Sequence, residues 1–169
     1  LELRPRDSRV LTNRGSTYFC LKRYEEALAD FDHSLEIKSN ASKALTNRGS
    51  TYYRLGRYEE ALADFNRALE LRPDSPRILR KRGNAYYRLG RYEEALADFN
   101  HVLAIKPGDP LVLYNLACLF SVQGKAKESL VYLEEAISAR EVNREIARLD
   151  SDLDNVRGEP SFKKLVEIA

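Results

Sequence analysis

The chain has no methionine and no long apolar run. Because it begins at Leu1 without an initiator residue, we expect it to be a piece of a longer protein, cut or processed upstream. None of its apolar runs approaches the roughly 18 residues that a membrane-spanning helix needs, and no signal-peptide core is present. These absences argue against a membrane partner and favour an intracellular, cytoplasmic protein.

Residues that could carry chemistry are also scarce. The two cysteines, Cys20 and Cys118, lie in different parts of the chain, so we predict no disulfide framework. The two histidines, His33 and His101, are too far apart for one metal site. No CxxC pair, GxSxG elbow or Gly-rich phosphate loop occurs. We therefore predict no metal, no cofactor and no catalytic residues, so the protein is not expected to be an enzyme.

A repeated motif with a period of 34 residues dominates what is present. The string YYRLGRYEEALADFN at residues 52–66 recurs unaltered at 86–100, and LTNRGSTY at 11–18 recurs at 45–52. A fixed period of this size indicates stacked supersecondary units rather than one globular core. The predicted units are a remnant of a preceding repeat at 1–7, repeats at 8–41, 42–75 and 76–109, a degenerate fourth repeat at 110–139, and C-terminal capping helices at 140–169.

Each unit contains two windows with the three- and four-residue spacing of an amphipathic helix. Gly56, Gly90 and Gly124 share one repeat position just past the first helix, where a left-handed residue ends a helix. Lys22 occupies that position in the first copy, at a cost of about 1 kcal/mol if the conformation is kept. Glu141–Leu149 and Pro160–Ile168 are predicted to form the capping helices, with an apolar stripe in the second one.

The repeat resembles the tetratricopeptide repeat family. Counted from Pro76 as position 1, the third copy carries the bulky, small and aromatic residues of that family at Leu79, Gly83, Tyr86, Ala95, Phe99 and Pro107. The resemblance covers about residues 8–139 and implies an all-α, right-handed superhelical solenoid of tandem helix–turn–helix repeats. In this family the first helices line the concave inner surface. The aromatic residues at position 11, which are Tyr18, Tyr52, Tyr86 and Phe120, are expected to pack in the core.

Two charged positions vary together between the copies. Position 7 is arginine and position 23 is aspartate in the first three copies, whereas both are uncharged in the fourth, as Leu116 and Tyr132. We interpret this joint change as a structural ion pair within each repeat, because removing one partner alone would strand a poorly solvated charge. The predicted pairs are Arg14 with Asp30, Arg48 with Asp64, and Arg82 with Asp98.

The first helices of copies one to three contain ten basic residues and no acidic residue. Without the three paired arginines, this leaves seven cations on the face that the family uses to bind peptides. Asparagine amides and aromatic rings occupy further ligand positions there, and together they can hold a peptide backbone and its carboxylates. The predicted peptide-binding residues are Arg9, Asn13, Phe19, Lys43, Asn47, Tyr53, Arg54, Arg77, Arg80, Lys81, Asn84, Tyr87, Arg88 and Asn115.

The leading hypothesis is a non-catalytic scaffold that binds an acidic or C-terminal peptide segment of a protein partner in a basic concave groove. One subgroup of the family grips a C-terminal carboxylate; Asn47, Arg77 and Lys81 fit part of its pattern, whereas Thr12 and Ser16 depart from it. One alternative is the recognition or autoinhibitory arm of a larger multidomain enzyme or regulator. Nucleic-acid binding through the basic and aromatic face is less favoured, and the cations could also be only a solvated surface.

Overall fold

The computed structural model describes residues 7–139 and 143–167. Within these ranges the chain is all-α, with no strand. The predicted all-helical fold of tandem helix–turn–helix units is thereby confirmed. No helix in the described ranges is long and apolar enough to cross a membrane. The helices are α1 Ser8–Cys20, α2 Tyr24–Ile37, α3 Ser42–Arg54, α4 Tyr58–Leu71, α5 Pro76–Arg88, α6 Tyr92–Ile105, α7 Pro110–Val122, α8 Ala126–Ser138, α9 Arg144–Leu149, the 3₁₀ helix η1 Ser151–Leu153 and α10 Pro160–Val166.

The odd-numbered helices α1, α3, α5 and α7 begin at residues 8, 42, 76 and 110, which is the period of the sequence repeat. The chain divides after Arg91 into two compact units. In the first unit, α1 packs on α2 and α3 on α4 as hairpins, α3 also packs on α2, and α5 packs on α4. In the second unit α7 and α8 form the corresponding hairpin.

The two helices of a hairpin approach closely at the glycine of position 8. A Cβ atom on Gly15 would lie 2.8 Å from the ring of Phe31, and one on Gly49 would lie 2.9 Å from the ring of Phe65. Both phenylalanine rings are fully buried. Any side chain at these glycines would therefore push the helices apart and open the core between them.

The turn after each of α1, α3, α5 and α7 contains a left-handed residue, as the glycine spacing predicts. Gly56, Gly90 and Gly124 have φ values of 75°, 72° and 73°. In the first copy Lys22 takes the same conformation with φ 60°, and it is the one non-glycine residue with positive φ in the described part of the chain. The turn geometry is thus kept even where the sequence departs from glycine.

The ion pairs lie within the repeats. Arg14 donates to both carboxylate oxygens of Asp30 at 2.7 Å, and Arg48 donates to those of Asp64 at 2.8 and 2.6 Å. Only 8% of the Asp30 side chain and 4% of the Asp64 side chain are exposed. A buried carboxylate is stable here because each oxygen accepts a charge-assisted bond from a planar guanidinium.

Arg48 also makes a contact that the sequence did not indicate. Its Nη1 donates to Oδ1 of Asp32 at 2.6 Å, so one guanidinium joins the second helix of the preceding repeat to the second helix of its own repeat. Arg82 donates in the same way to Oδ1 of Asn66 at 2.8 Å. The predicted pair of Arg82 with Asp98 involves residues of different units and stays a prediction.

The aromatic residues at position 11 are half-buried, so the prediction that they lie in the core is wrong. The guanidinium of Arg57 lies 4.5 Å from the centre of the Tyr52 ring, and that of Arg48 lies 5.8 Å from it. Cation–π attraction keeps such a ring at the surface, between two arginines. In the fourth copy, where the arginine and aspartate are absent, Tyr132 stacks on Phe120 at 5.4 Å.

The C-terminal segment packs on the last hairpin. Helix α9 begins at Arg144 and is shorter than the predicted Glu141–Leu149. Residues 141–142 of that prediction lie outside the described residues. Residues 1–6 of the predicted N-terminal remnant lie outside them as well. Phe162 and Val166 of α10 are buried, as their apolar spacing predicts. The 3₁₀ helix η1, which packs on α7, was not predicted.

Replacing Lys22 by glycine should stabilise the protein by about 0.5–1 kcal/mol, because glycine adopts positive φ without steric cost and this gain exceeds its larger unfolded-state entropy. Urea unfolding followed by circular dichroism measures the change. The reciprocal variant Gly56→Lys should lose a similar amount. An unchanged or lower midpoint for Lys22→Gly would show that the turn carries no strain.

Replacing Arg48 by leucine should destabilise the protein by about 3 kcal/mol or more, because it leaves the buried carboxylate of Asp64 without its bidentate donor. The double variant Arg48→Leu/Asp64→Tyr copies the fourth repeat and should be more stable than Arg48→Leu alone, with the new ring stacking on Tyr52. Urea unfolding of the full double-mutant cycle measures both values. If Arg48→Leu and the double variant lose the same free energy of unfolding, the pair has no structural role.

Candidate functional site

The candidate site is the surface that α1, α3 and α5 form together in the first unit, which we name the α1–α3–α5 face. These helices pack side by side, α1 on α3 and α3 on α5. Since each is the first helix of its repeat, equivalent repeat positions come next to one another on this face. The predicted ligand positions of the first three copies therefore lie on one surface.

Three hydrogen bonds join neighbouring helices across this face. Lys43 Nζ donates to Asn13 Oδ1, and Asn47 Nδ2 donates to Ser16 Oγ, each at 2.9 Å. Lys81 Nζ donates to Ser50 Oγ at 2.9 Å. Asn13 and Asn47 thus use part of their amides to connect helices, which holds their side chains in place; their assignment to peptide binding stays a prediction.

Five cations on this face, among the described residues, form no ion pair. They are Lys43, Arg54, Arg77, Arg80 and Lys81, and each lies on α3 or α5. Several positive charges held near one another without a carboxylate raise the local potential and attract anions. This is the electrostatic feature that the charge pattern of the sequence predicts.

Two hollows bring these cations together. One, with a volume of about 340 Å³, is bordered by Lys43, Arg77 and Lys81 together with polar residues of α1 and α3. The other, of about 270 Å³, is bordered by Arg54, Arg80 and Lys81. Asn84 also lines the second hollow, and Lys81 and Ser50 line both. Lys81 is therefore shared between the two hollows.

Lys81 has an unusual electrostatic environment. Burial, and next the positive charges of Arg77, Arg80 and Arg54, lower the pKa of its ammonium group to about 8. The hydroxyl that accepts its bond is itself held in place, because Ser50 Oγ donates to the carbonyl oxygen of Thr46 at 2.7 Å. An anion placed here would counter the repulsion that the cations exert on one another.

The predicted aromatic residues at position 12 border the same hollows. Phe19 lines both hollows and packs on Tyr24 with ring centres 5.8 Å apart. Tyr53 lines the smaller hollow and packs edge-on against Tyr58 at 5.3 Å. Tyr87 is half-buried on α5. The rings of Phe19 and Tyr53 thus form an apolar wall beside the cations and are braced by the helix that follows.

Two predicted cations are engaged elsewhere. Arg9 forms an exposed ion pair with Asp7, the N-cap of its own helix, at 3.4 Å. Arg88 lies over the Tyr58 ring at 5.8 Å and donates from Nε to its hydroxyl at 3.3 Å. Both contacts are at the surface, and neither brings an acid into the two hollows.

The second unit differs in chemistry. Asn115 is half-buried on α7, and the neighbouring Tyr114 donates its hydroxyl proton to Asp150 Oδ2 at 2.6 Å. Burial, and next this hydrogen bond, raise the pKa of Tyr114 above its ordinary value. Sequence reasoning missed this contact, because Asp150 lies in a segment without repeat periodicity. It places a carboxylate against α7.

Cys118, Asp150 and Asp152 have ligand atoms within 4.8 Å of one another. Their chemistry does not favour a metal ion. Burial raises the pKa of the Cys118 thiol, so it stays protonated at neutral pH. The two oxygens of Asp150 already accept from the Tyr114 hydroxyl and from the backbone N–H of Asp152. We interpret the group as a structural contact that holds η1 on α7.

Lys81 should titrate with a midpoint near pH 8, compared with its ordinary value of 10.5. Because the unfolded chain keeps this proton to higher pH, stability should rise between about pH 8 and 10.5 in the wild type relative to Lys81→Asn, which carries the residue of the first two copies. Nuclear magnetic resonance of the lysine side chain and urea unfolding at pH 7 and 9.5 measure these effects. A midpoint of 10 or above would rule out the crowded cationic environment.

Three models of the tetratricopeptide repeat family match residues 6–74, 46–110 and 111–143. No curated protein sequence matches the chain significantly. Among solved structures, the chain is similar to the first TPR domain of Spaghetti (RPAP3) bound to the HSP90 peptide SRMEEVD, with 27% identity and a TM-score of 0.65 over 70% of this chain and 94% of that one.

It is also similar in fold to PilW, a type IV pilus biogenesis factor, with 23% identity and a TM-score of 0.79 over 95% of this chain and 76% of that one. A further similar fold is that of YrrB, a TPR protein with an unusual peptide-binding site, with 17% identity and a TM-score of 0.72 over 95% of this chain and 81% of that one. Since the family models together match residues 6–143, the chain belongs to the tetratricopeptide repeat family.

Proposed function

We propose that this chain is a non-catalytic protein-interaction module that holds an acidic peptide segment of a partner against the α1–α3–α5 face. The observation that carries the proposal is the set of five cations on α3 and α5 that form no ion pair among the described residues. In a merely solvated surface, charges of both signs are usually mixed. Here the first helices of three successive repeats, α1, α3 and α5, contain no acidic residue.

The rigidity of the face supports the same conclusion. Lys43, Asn47 and Lys81 are held by hydrogen bonds to the neighbouring helix. A ligand that binds pre-positioned side chains loses less free energy to their ordering, so a short peptide can bind specifically. The peptide in the similar Spaghetti structure, SRMEEVD, contains three acidic residues. That likeness makes an acidic peptide a reasonable class of ligand.

Nucleic acid is a weaker candidate. Base stacking needs ring faces that are open to a ligand. Phe19 and Tyr53 are half-buried, and each ring packs on the tyrosine that begins the next helix.

The other alternative, an arm of a larger enzyme or regulator, would use the same face and differs only in what the face is attached to. The proposal places the interaction in the cytoplasm, where the exposed thiol of Cys20 would stay reduced.

The test is a peptide array with acidic peptides that carry free or amidated C-termini, followed by fluorescence anisotropy of the best binders. Arg77→Glu/Lys81→Glu should weaken binding by about tenfold or more, because two charge-assisted contacts become repulsive. If amidation of the C-terminus lowers the affinity, one cation cluster binds the C-terminal carboxylate. If the affinity is unchanged, the cations bind acidic side chains instead.

The matched control is Arg67→Glu/Lys127→Glu, which changes the net charge equally but on α4 and α8. It should bind as the wild type does, with circular dichroism verifying that all variants fold. Should the α5 variant keep every peptide that the wild type binds, the face is a solvated surface and the proposal is wrong.

A further inference from the structure

The smaller hollow has a composition that singles out one kind of anion. Ser50 and Arg54 are four residues apart on α3, and Arg80 and Asn84 are four residues apart on α5. Side chains at this spacing lie on one side of a helix. All four line the hollow of about 270 Å³ between the two helices, together with Lys81. Two helices thus place three cations, a hydroxyl and an amide around one small volume.

We propose that this hollow is a subsite for a phosphomonoester dianion, the side chain of a phosphorylated serine or threonine in the bound peptide. The inference rests on the proposed function and adds the chemical class of one ligand group. A phosphate group carries nearly two negative charges at neutral pH and offers three strong acceptor oxygens. The guanidinium groups of Arg54 and Arg80 have the planar donor geometry that matches such oxygens, and Lys81 supplies a point charge.

Charge balance favours phosphate over carboxylate. No acidic residue lines either of the hollows that contain Lys81. The charged and titratable residues that line them are Cys20 on α1, Lys43, Tyr53 and Arg54 on α3, and Arg77 and Arg80 on α5, while α4 contributes the uncharged Phe65. One carboxylate would leave most of this positive charge uncompensated, whereas a dianion compensates about twice as much.

Comparison of the repeats indicates that this chemistry belongs to the third copy. Positions 5 and 6 are Thr12 and Asn13 in the first copy and threonine and asparagine again in the second, whereas they are Arg80 and Lys81 in the third. The residues that follow are shared between the second and third copies, since Arg48 and Gly49 recur as Arg82 and Gly83 and residues 52–66 recur as 86–100. The double variant Arg80→Thr/Lys81→Asn therefore removes the proposed subsite with residues that the same frame already accommodates.

Binding of a dianion should also be coupled to proton uptake. Lys81 is half-buried and has a pKa near 8, so at pH 8 about half of the free molecules carry the neutral amine. A dianion in the hollow favours the charged form. Calorimetry at pH 8 in two buffers of different ionisation enthalpy should then report uptake of up to about half a proton per bound phosphopeptide. Arg80→Thr/Lys81→Asn should take up none.

The central experiment uses three versions of one acidic peptide, with serine, glutamate or phosphoserine at its centre. The wild type should bind the phosphoserine version about tenfold or more tightly than the glutamate version, and Arg80→Thr/Lys81→Asn should bring this ratio close to one. The variant should still bind the glutamate version, through Lys43 and Arg77. Inorganic phosphate should shift the amide resonances of Ser50 and Arg54 in the wild type only, at ionic strength matched with chloride.

Equal affinity of the wild type for the glutamate and phosphoserine peptides would overturn the phosphate subsite and leave the proposed function intact. An unchanged ratio in the variant would also overturn it, because the preference would then arise elsewhere. If no acidic peptide binds, the proposed function fails as well. Tighter binding of a single-stranded oligonucleotide than of the phosphopeptide would replace the peptide by nucleic acid as the source of phosphate.

Discussion

The close approach of the two helices within each hairpin is the constraint on which the rest of the structure depends. Gly15 and Gly49 leave space that the rings of Phe31 and Phe65 fill, and both rings are fully buried. With the helices at this distance, the first helix of the next repeat can pack on the second helix of the preceding one. Stacking of this kind brings α1, α3 and α5 next to one another and so creates the α1–α3–α5 face.

The buried ion pairs separate structural arginines from those available for binding. Arg14 and Arg48 direct their guanidinium groups to aspartates on the second helix of their own repeat, and Arg48 extends the contact to Asp32 of the preceding one. A charge-assisted, bidentate bond to a nearly buried carboxylate is stable only if both partners remain. These arginines therefore hold hairpins together, and the positive potential of the face comes from other residues.

Positive charge on the face is concentrated where α3 and α5 meet, and Lys81 is central to it. Its bond to Ser50 joins the two helices, while Arg54, Arg77 and Arg80 surround it with like charge. Such an arrangement is unfavourable in the free protein, since burial and repulsion both oppose the charged ammonium. A bound anion would offset this repulsion and so lower the free energy of the charged site. Because the stacking of the repeats brings these cations together, it also supports the proposed binding function.

The amino-acid sequence by itself determined the helical repeat, the turns and the within-repeat ion pairs of the first two copies. It did so because these features recur with the period: Gly56 and Gly90 mark equivalent turns, and the joint loss of charge at Leu116 and Tyr132 reveals the pairing. The basic character of α1, α3 and α5 was readable from the sequence as well, because their cations are counted directly within the repeat frame. Their exact neighbours on the face were not.

Only the tertiary structure decided the contacts between repeats and with the C-terminal segment. Lys43 meets Asn13, and Lys81 meets Ser50, across about one full period, where side-chain reach and helix rotation select the partner. The bond of Tyr114 to Asp150 involves a segment with no periodicity to compare. The half-buried state of Tyr52 likewise depends on two arginines that reach its ring in space. Local patterns specify a helix and its apolar side, whereas the surroundings of a polar group follow from how the helices stack.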